Sequence, residues 1–513
     1  MTRFFRFETL CFLALFTFLL SFGRERFFRD PGTFWHTKTG ELILDSGTFL
    51  ATDPYSYTFG GQPWTPYEWL GEIGMALLHR AGGFDTLLLV SVAIVAFTFA
   101  WLGGRVRETG LHPIAVGLLV ILAVGTSANH FHVRPHLLSM LGIAGTMVAL
   151  AAVESGRRTI RVLWWLVPSY AIWVNVHGGV LGGLATVGIA FACWLITRLL
   201  KWESPVRTWR DAGELSIIGM VLLLTPFVSP YGADIPKTWL AIMQMPEVRQ
   251  IVVEHTPIDA SKPENGPFLV LGFFYLILLA GLRQRPRATW LIPIVWFVMG
   301  CDRVRHISLF GIVALAAIAE LFPKTVYAKW LAAKRPDYIV PPRSAPTLAA
   351  WIVPFFAIVC CFAFHVASVT IPVFGRGWAR PDPTVWPMEL LPVIRAEAEG
   401  RTAAPIFNEY NDGGFLIWYA PEFRVFVDDR CEVYGGEWLK PFVDAGKCVD
   451  TAKTYIEEQQ KKYGCFDHAL TRTDSGFDEY FKSCESWQCL GRTEKHAFYK
   501  RKPDLTSPTR MRG

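Results

Sequence analysis

The sequence predicts a polytopic α-helical membrane protein of about eleven transmembrane helices, followed by a small C-terminal α/β soluble domain. Three observations predict it. Apolar runs recur through the first part of the chain, each about as long as the 17–25 residues a bilayer requires. Charged residues make up 18% of the 513-residue chain, where soluble globular proteins carry about 25%. From about residue 372 the apolar runs give way to short, mixed stretches with Gly-rich turns. Hydrophobic residues reach 52% and the mean hydropathy is +0.29. The 20 Trp and 38 Phe suit rings placed at membrane interfaces. The net charge of +6 comes mostly from Lys and Arg in short loops, with no basic patch interleaved with aromatics, so nucleic acid is not an expected partner.

The first run, LCFLALFTFLLSF from Leu10, follows Arg3 and Arg6. It has the look of a signal peptide, but GRERFFRD follows it in place of a small-residue cleavage site, so it reads as an uncleaved first helix. Further spans are centred near residues 92, 119, 143, 168, 188, 220, 274, 294, 314 and 359. With the N-terminus inside, the inner loops hold Arg105, Arg107, Arg157, Arg158, Arg161, Arg198, Lys201 and the Arg283–Arg287 group. The outer loops are poorer in positive charge apart from Arg24 to Arg29, as the positive-inside rule expects. An odd number of spans then places the chain from about residue 372 outside.

The expected organisation is a membrane domain over 1–371 with an outer loop over 24–82, an extracytoplasmic domain over 372–500 and a polar tail over 501–513. Within the C-terminal domain, WPMELLPVIRAEAEG and DTAKTYIEEQQKKYG read as helices. The stretch APIFNEYNDGGFLIWYAPEFRVFVDD reads as strands separated by Gly-rich turns, and HAFYKRK as a closing strand. Cys431, Cys448, Cys465, Cys484 and Cys489 all fall there. An oxidising exterior permits one or two disulfides among them, and the odd count leaves a thiol over.

Ionisable groups near membrane depth are expensive and tend to mark function. Most of them fall on the outer side: NHFHVRPH, WVNVHGG, EVRQIVVEHTPID and CDRVRH join the first outer loop there. Asp30, followed by Trp35 and His36, is a candidate carboxylate base or metal ligand; it is equally a turn-forming Asp before Pro31. Asp53, in TDPYS, carries the same ambiguity. Arg134, Arg303 and Arg305 lie at span mouths against the positive-inside trend, where a guanidinium grips phosphate bidentately or merely snorkels. His177, with Gly178 and Gly179 after it, and the pair Glu254–His255 in the longest internal outer loop are candidate substrate or lid residues. The Gly pair is also a helix-packing device. No HExxH occurs, and the spacing of His130 and His132 is not that of a helical zinc site, so no metal ligands are assigned.

With these residues in place, the layout resembles the GT-C superfamily of membrane glycosyltransferases that use polyprenyl-phosphate-linked sugars. An acid just after the first span is that family's shared feature, and Asp30 stands there. YNDGGFLIW followed by RVFVDD resembles a drifted form of the Trp-Trp-Asp-Tyr-Gly motif of oligosaccharyltransferase catalytic subunits. In that comparison Asn411, Asp412 and Gly413 replace Trp, Asp and Tyr, Gly414 keeps the glycine, and Asp428 or Asp429 matches a later acid. The whole layout is also similar to a group of bacterial GT-C-like membrane proteins sharing RPHL, NxHGG and NEYxxGG patterns. The resemblance implies a bacterial inner-membrane enzyme with a cytoplasmic N-terminus and an extracytoplasmic C-terminal domain. Its partners are the bilayer, a polyprenyl-phosphate sugar donor, and a glycan, lipid or protein acceptor. It implies catalysis by Asp30 with His36, donor phosphate binding by Arg134, Arg303 and Arg305, and substrate or lid roles for Asp53, His177, Glu254, His255, Asp412 and Asp429. The resemblance admits a divalent cation, Mg or Mn, as cofactor, but no clear DxD stands in an outer loop, which argues against metal-dependent donor binding, and no metal ligand is named. Tyr410 and Asn411 stand where the Trp residues that read an acceptor peptide belong, which argues against sequon glycosylation. The alternatives are a transporter or flippase of lipid-linked saccharide, and a non-catalytic assembly protein of a surface-polysaccharide system.

Overall fold

A computed structural model describes residues 4–247, 249, 253–341, 347–371 and 374–503. The chain divides into two compact units. One comprises Met1–Phe27, Tyr67–Trp239 and Val252–Arg380, the other Phe28–Pro66, Leu240–Ile251 and Pro381–Gly513.

The first unit is helical. A helix stands at every span centre read from the sequence. Seven are long and apolar enough to cross a membrane: Trp69–Arg107, Pro113–His130, His136–Glu154, Val180–Leu199, Pro263–Ala280, Val304–Lys324 and Leu348–Val366. Phe7–Gly23, Ile160–Val176 and Ala288–Asp302 are apolar but shorter, and Trp209–Leu224 occupies the remaining centre. The apolar stretches of Trp69–Arg107 and Val304–Lys324 are 72% buried, against 22% for Leu348–Val366, so the first two form the interior of the unit. Phe310, Ile312, Val313, Leu315 and Ile318 point in different directions round one helix and are all buried, as only a helix surrounded by others permits. At one end of the unit Glu154 accepts from the backbone N–H groups of Ala288 and Thr289 (2.8 and 2.9 Å) and from Trp194 Nε1 (2.7 Å). It satisfies the orphan donors of the Ala288–Asp302 helix and complements its positive end. A two-residue pair, β1 (Thr370–Ile371) with β2 (Phe374–Gly375), follows the last helix.

The second unit is α/β. Its sheet has the order β4-β3-β5-β7-β6, with β3 Ala404–Asn408, β4 Phe423–Val425, β5 His468–Arg472, β6 Trp487–Arg492 and β7 His496–Arg501. β3 runs parallel to β4 and β5, and β7 antiparallel to β5 and β6. Phe407, Phe442, Phe477, Phe481 and Tyr499 are buried in its core. The segment around Ser56 pairs with β4: Tyr57 N donates to Val425 O (3.0 Å) and Val425 N to Tyr55 O (3.2 Å). That pairing covers the β4 edge, which would otherwise expose unpaired backbone groups. The 24–82 stretch was grouped by sequence with the membrane helices, whereas its Phe28–Pro66 part packs into this unit.

The structure corrects two local readings. Residues read as open loop after Asp30 form the helix Gly32–Ser46. The sequence is polar enough to read as loop because its threonines return their hydroxyls to the backbone. Thr37 Oγ1 donates to Thr33 O (2.7 Å) and Thr39 Oγ1 to Trp35 O (2.8 Å), which lets both be buried. Likewise GGFLIWY forms the helix Gly413–Tyr419, where strand and turn were expected. The glycines are there for close approach. A Cβ on Gly413 would fall 2.3 Å from Val427 O, and one on Gly414 2.4 Å from Pro31 O. All ten cysteines are free, so the disulfides that the sequence permits in this unit are not formed.

In an open helix Gly→Ala stabilises by about 1 kcal/mol. Gly414→Ala is expected to lower the thermal unfolding temperature of the purified protein, because its methyl meets backbone that cannot yield. An unchanged or raised temperature would contradict the close packing.

Candidate functional site

The first unit gathers its polar side chains at one end of the bundle. NHFHVRPH ends one helix in the short turn Ala128–His130 and opens the next at His136. Val133 N donates to Phe27 O (2.9 Å) and pins this connection to the end of the first helix segment. His136 Nε2 lies 2.6 Å from His130 O. The His136 ring is 6.3 Å from that of His132 and 6.0 Å from that of His177.

His177 sits in the break between two helices, beside the glycines. Gly179 N donates to its Nδ1 (2.8 Å), with Ser139 Oγ 2.9 Å from the same atom. Nδ1 is thus the acceptor, and the proton belongs on Nε2, which faces Glu68 Oε1 at 3.5 Å. A Cβ on Gly179 would fall 2.5 Å from Ser139 Oγ, so here the Gly pair serves packing. Burial, and next the charges of His136, Arg134 and Arg305, pull His177 well below its ordinary range and keep it neutral.

Glu254 and His255 lie on the short turn Val253–His255. Two backbone bonds fasten this loop to the helix break that carries the arginines: Val304 N to Thr256 O and Ile258 N to Cys301 O, both 3.1 Å. Arg305 Nη1 lies 2.5 Å from His255 Nε2 and Arg303 Nη1 3.3 Å from His255 Nδ1, so an arginine donor faces each ring nitrogen. Burial, then Arg305 and Arg303, push His255 down to about 3, so it too is neutral. Burial alone would raise Glu254. The charges of His130, Arg305, Arg134 and His132 outweigh it and hold the carboxyl well below the usual range. The result is a carboxylate surrounded by guanidiniums and imidazoles from three separate stretches of chain.

Arg134, His177, Glu254, His255, Arg303 and Arg305 are therefore brought together. The group includes three guanidiniums, each of a kind able to make forked hydrogen bonds to an oxyanion. Glu68 and Ser139, which fix His177, carried no sequence signal beyond a lone acid and a lone serine. Among the described residues, no group of three or more His, Cys, Asp or Glu is arranged to hold a metal ion.

The remaining candidates lie in the second unit. Asp30 is half-buried and starts the Gly32–Ser46 helix. Its Oδ1 accepts from Gly32 N (2.8 Å) and its carbonyl from Thr33 N (3.2 Å). His36 is buried one turn along, its ring 3.6 Å from that of Trp35. Trp35 Nε1 donates to Asp429 Oδ1 (2.8 Å). Asp53 has no exposed side-chain surface. It accepts from Tyr55 N (3.0 Å), Ser56 Oγ (2.5 Å) and Arg430 Nη2 (2.7 Å). Arg430 also makes a forked pair with Asp428, Nε–Oδ1 2.8 Å and Nη2–Oδ2 2.6 Å. Its guanidinium carbon stands 4.5 Å from the Trp64 ring centre and 4.9 Å from that of Tyr55. Asp412 is buried, with Oδ1 3.2 Å from His496 Nε2, so the drifted motif points its acid into the unit. Asp53 and Asp412 thus occupy packed interior positions. The sequence signal for Arg430 was its place directly after Asp428 and Asp429; the partner 377 positions away had none.

No protein-family model matches the chain, and no curated protein does. The oligosaccharyltransferase of Archaeoglobus fulgidus in its apo form superposes with a TM-score of 0.52 at 10% identity, over 91% of this chain and 69% of that one. The same enzyme tethered with an acceptor peptide containing the NVT sequon gives 0.53 at 11% identity over the same shares. ArnT from Cupriavidus metallidurans, in the apo state, gives 0.49 at 15% identity over 98% of each chain. The chain shares the fold of the archaeal oligosaccharyltransferase, and at these identities the likeness speaks for fold alone.

Removing one partner of a buried ion pair costs about 3–5 kcal/mol. Arg430→Met, which strands Asp53 and Asp428, is expected to lower stability by that order in chemical unfolding. Arg430 first, after the cost of burial, and then Ser56 hold the Asp53 carboxyl below its unfolded value. Its contribution is complete above about pH 4 and is lost as pH falls below that. A wild type with no acid-side loss that Asp53→Asn removes would contradict this.

Proposed function

We propose that the chain is a membrane glycosyltransferase that moves a sugar from a polyprenyl-phosphate-linked donor to an acceptor at the outer face of a bacterial inner membrane. The observation that carries the reading is Arg134 and Arg305 set around Glu254 at helix ends, with Arg303 beside His255 and Asp302. The reading takes eleven spans, a cytoplasmic N-terminus and an extracytoplasmic C-terminal unit.

Transfer from a lipid phosphate breaks the bond between the anomeric carbon and the phosphate oxygen, and the electron pair leaves with the phosphate. Charge grows on that oxygen, so pre-placed guanidiniums favour the transition state more than the ground state. In this proposal Arg134, Arg303 and Arg305 hold the phosphate, whether or not a divalent cation accompanies the donor. His177 and His255, both neutral, serve as hydrogen-bonding walls that add no charge to the site. The acceptor oxygen attacks the anomeric carbon and gives up its proton to a base, for which Asp30 is the candidate to be tested. Glu254 is the resident anion that an incoming phosphate must share or displace, which gives the loop carrying it a lid's role. Transport sites usually lie at mid-membrane on broken helices. The polar cluster lies at helix ends, which favours surface chemistry over carriage.

The test is transfer of radiolabelled sugar from polyprenyl phosphate in membranes with matched expression. Asp30→Asn is expected to reduce turnover by about 10²–10⁴-fold with donor KM nearly unchanged. Arg305→Gln is expected to raise donor KM and lower turnover. Full activity in Asp30→Asn removes the base assigned here, and no transfer by the wild type under any donor tried removes the enzyme reading.

A further inference from the structure

The first unit carries a basic hollow, built from residues outside the Arg134, Arg303 and Arg305 cluster. It encloses about 520 Å³ and is lined by Arg80, Gly82, Gly83, Asp85, His365 and Arg376.

Its form is set by the backbone. The long helix Trp69–Arg107 breaks at Gly82 and Gly83, and Gly83 takes a left-handed φ of +65° that favours glycine. A Cβ on Gly82 would lie 2.2 Å from Thr86 Oγ1 and 2.8 Å from His365 Nε2. Only glycine lets the last apolar helix bring His365 that close. The hollow's one acid is already engaged: Asp85 accepts from Gly377 N (2.8 Å) and Ala379 N (2.7 Å) and pairs with His365 Nδ1 at 3.3 Å. Its charge holds the 377–379 segment down. Arg80 and Arg376, both exposed, leave the hollow with a positive rim.

Apolar surface adjoins that rim. Val366, which also lines the hollow, is 63% exposed, and Leu77, one helical turn before Arg80, is 52% exposed. A cationic hollow with apolar lips at the end of an apolar helix matches an amphiphile with an acidic head. We propose that this hollow binds the anionic phosphate headgroup of a membrane lipid. Arg80 and Arg376 grip the phosphate while the acyl chains follow Leu77 and Val366 into the bilayer. The chemistry recognised is a phosphate, and a free phosphate ion would satisfy the same arginines; the apolar lips favour the lipid.

The proposal stands apart from the transferase reading, because it is tested by binding alone. Full-length protein carrying Arg305→Gln, to weaken the other arginine cluster, is purified in neutral detergent. It is titrated calorimetrically with dihexanoyl-phosphatidylglycerol, dihexanoyl-phosphatidylcholine and inorganic phosphate. The glycerol lipid is expected to bind best. Arg80→Gln with Arg376→Gln should weaken it by at least about tenfold. Arg80→Lys with Arg376→Lys should keep most of the affinity, which shows that a loss in the Gln pair is not misfolding. Equal binding of the glycerol lipid by the Gln pair overturns the site. Equal binding of the choline lipid overturns the anionic preference, and displacement by inorganic phosphate at matched concentration overturns the lipid in favour of the free ion.

Discussion

Three guanidiniums at one end of a helical bundle repel one another and cost free energy to desolvate, so the fold has to bring negative charge to them. Here that charge is Glu254, delivered by a loop clipped to the Cys301–Val304 break through two backbone hydrogen bonds. Much else in the first unit follows from keeping this arrangement solvent-poor and singly balanced. His177 and His255 are held neutral, so that no further positive charge accumulates. Gly179 and Ser139 fix the His177 ring so that its protonated nitrogen meets Glu68. Arg134 and Arg305 facing a carboxylate carried on a loop, with Arg303 beside Asp302, are the physical root of the phosphate-binding proposal.

The second unit solves a comparable problem in the opposite way. Arg430 is fully buried and its two carboxylates are satisfied in place, with aromatic rings closing the remaining faces. Of its guanidinium nitrogens, Nη1 is buried without a hydrogen-bond partner among the described residues. Its role is to fasten the Asp53–Ser56 turn to the strand-end run Asp428–Arg430, where the turn also extends the sheet past β4. One unit thus sets arginines around a carboxylate on a loop and the other pairs its arginine with two carboxylates fixed in the interior, and this difference separates the candidate site from structural charge. Residue type alone could not make the distinction.

What the sequence made legible was set mainly by the length of its signals. Apolar runs near bilayer length located the helices, including the tightly spaced pairs around Trp173 and Gly300. Helical and strand periods located Val449–Tyr463 and His496–Arg501 in the C-terminal unit. The arginines stood out because they lay on the wrong side of the positive-inside pattern, and Glu254 and His255 because they lay in the longest internal outer loop. Gly32–Ser46 was hidden because threonine back-bonding makes a buried helix look polar. Gly413–Tyr419 was hidden because a Gly pair reads as a turn unless the opposing backbone is known. The Asp53–Arg430 pair was hidden by sequence distance, since nothing local to TDPYS announces a partner beside β4.

The Arg134, Arg303 and Arg305 cluster is proposed to be where a lipid-linked phosphate sits. A cryo-electron-microscopy structure of the full-length protein in nanodiscs with a bound polyprenyl phosphate tests this. Phosphate density is expected within hydrogen-bonding distance of these guanidiniums, with Glu254 moved from its place. Phosphate density elsewhere, with the arginines still closed on Glu254, would contradict it.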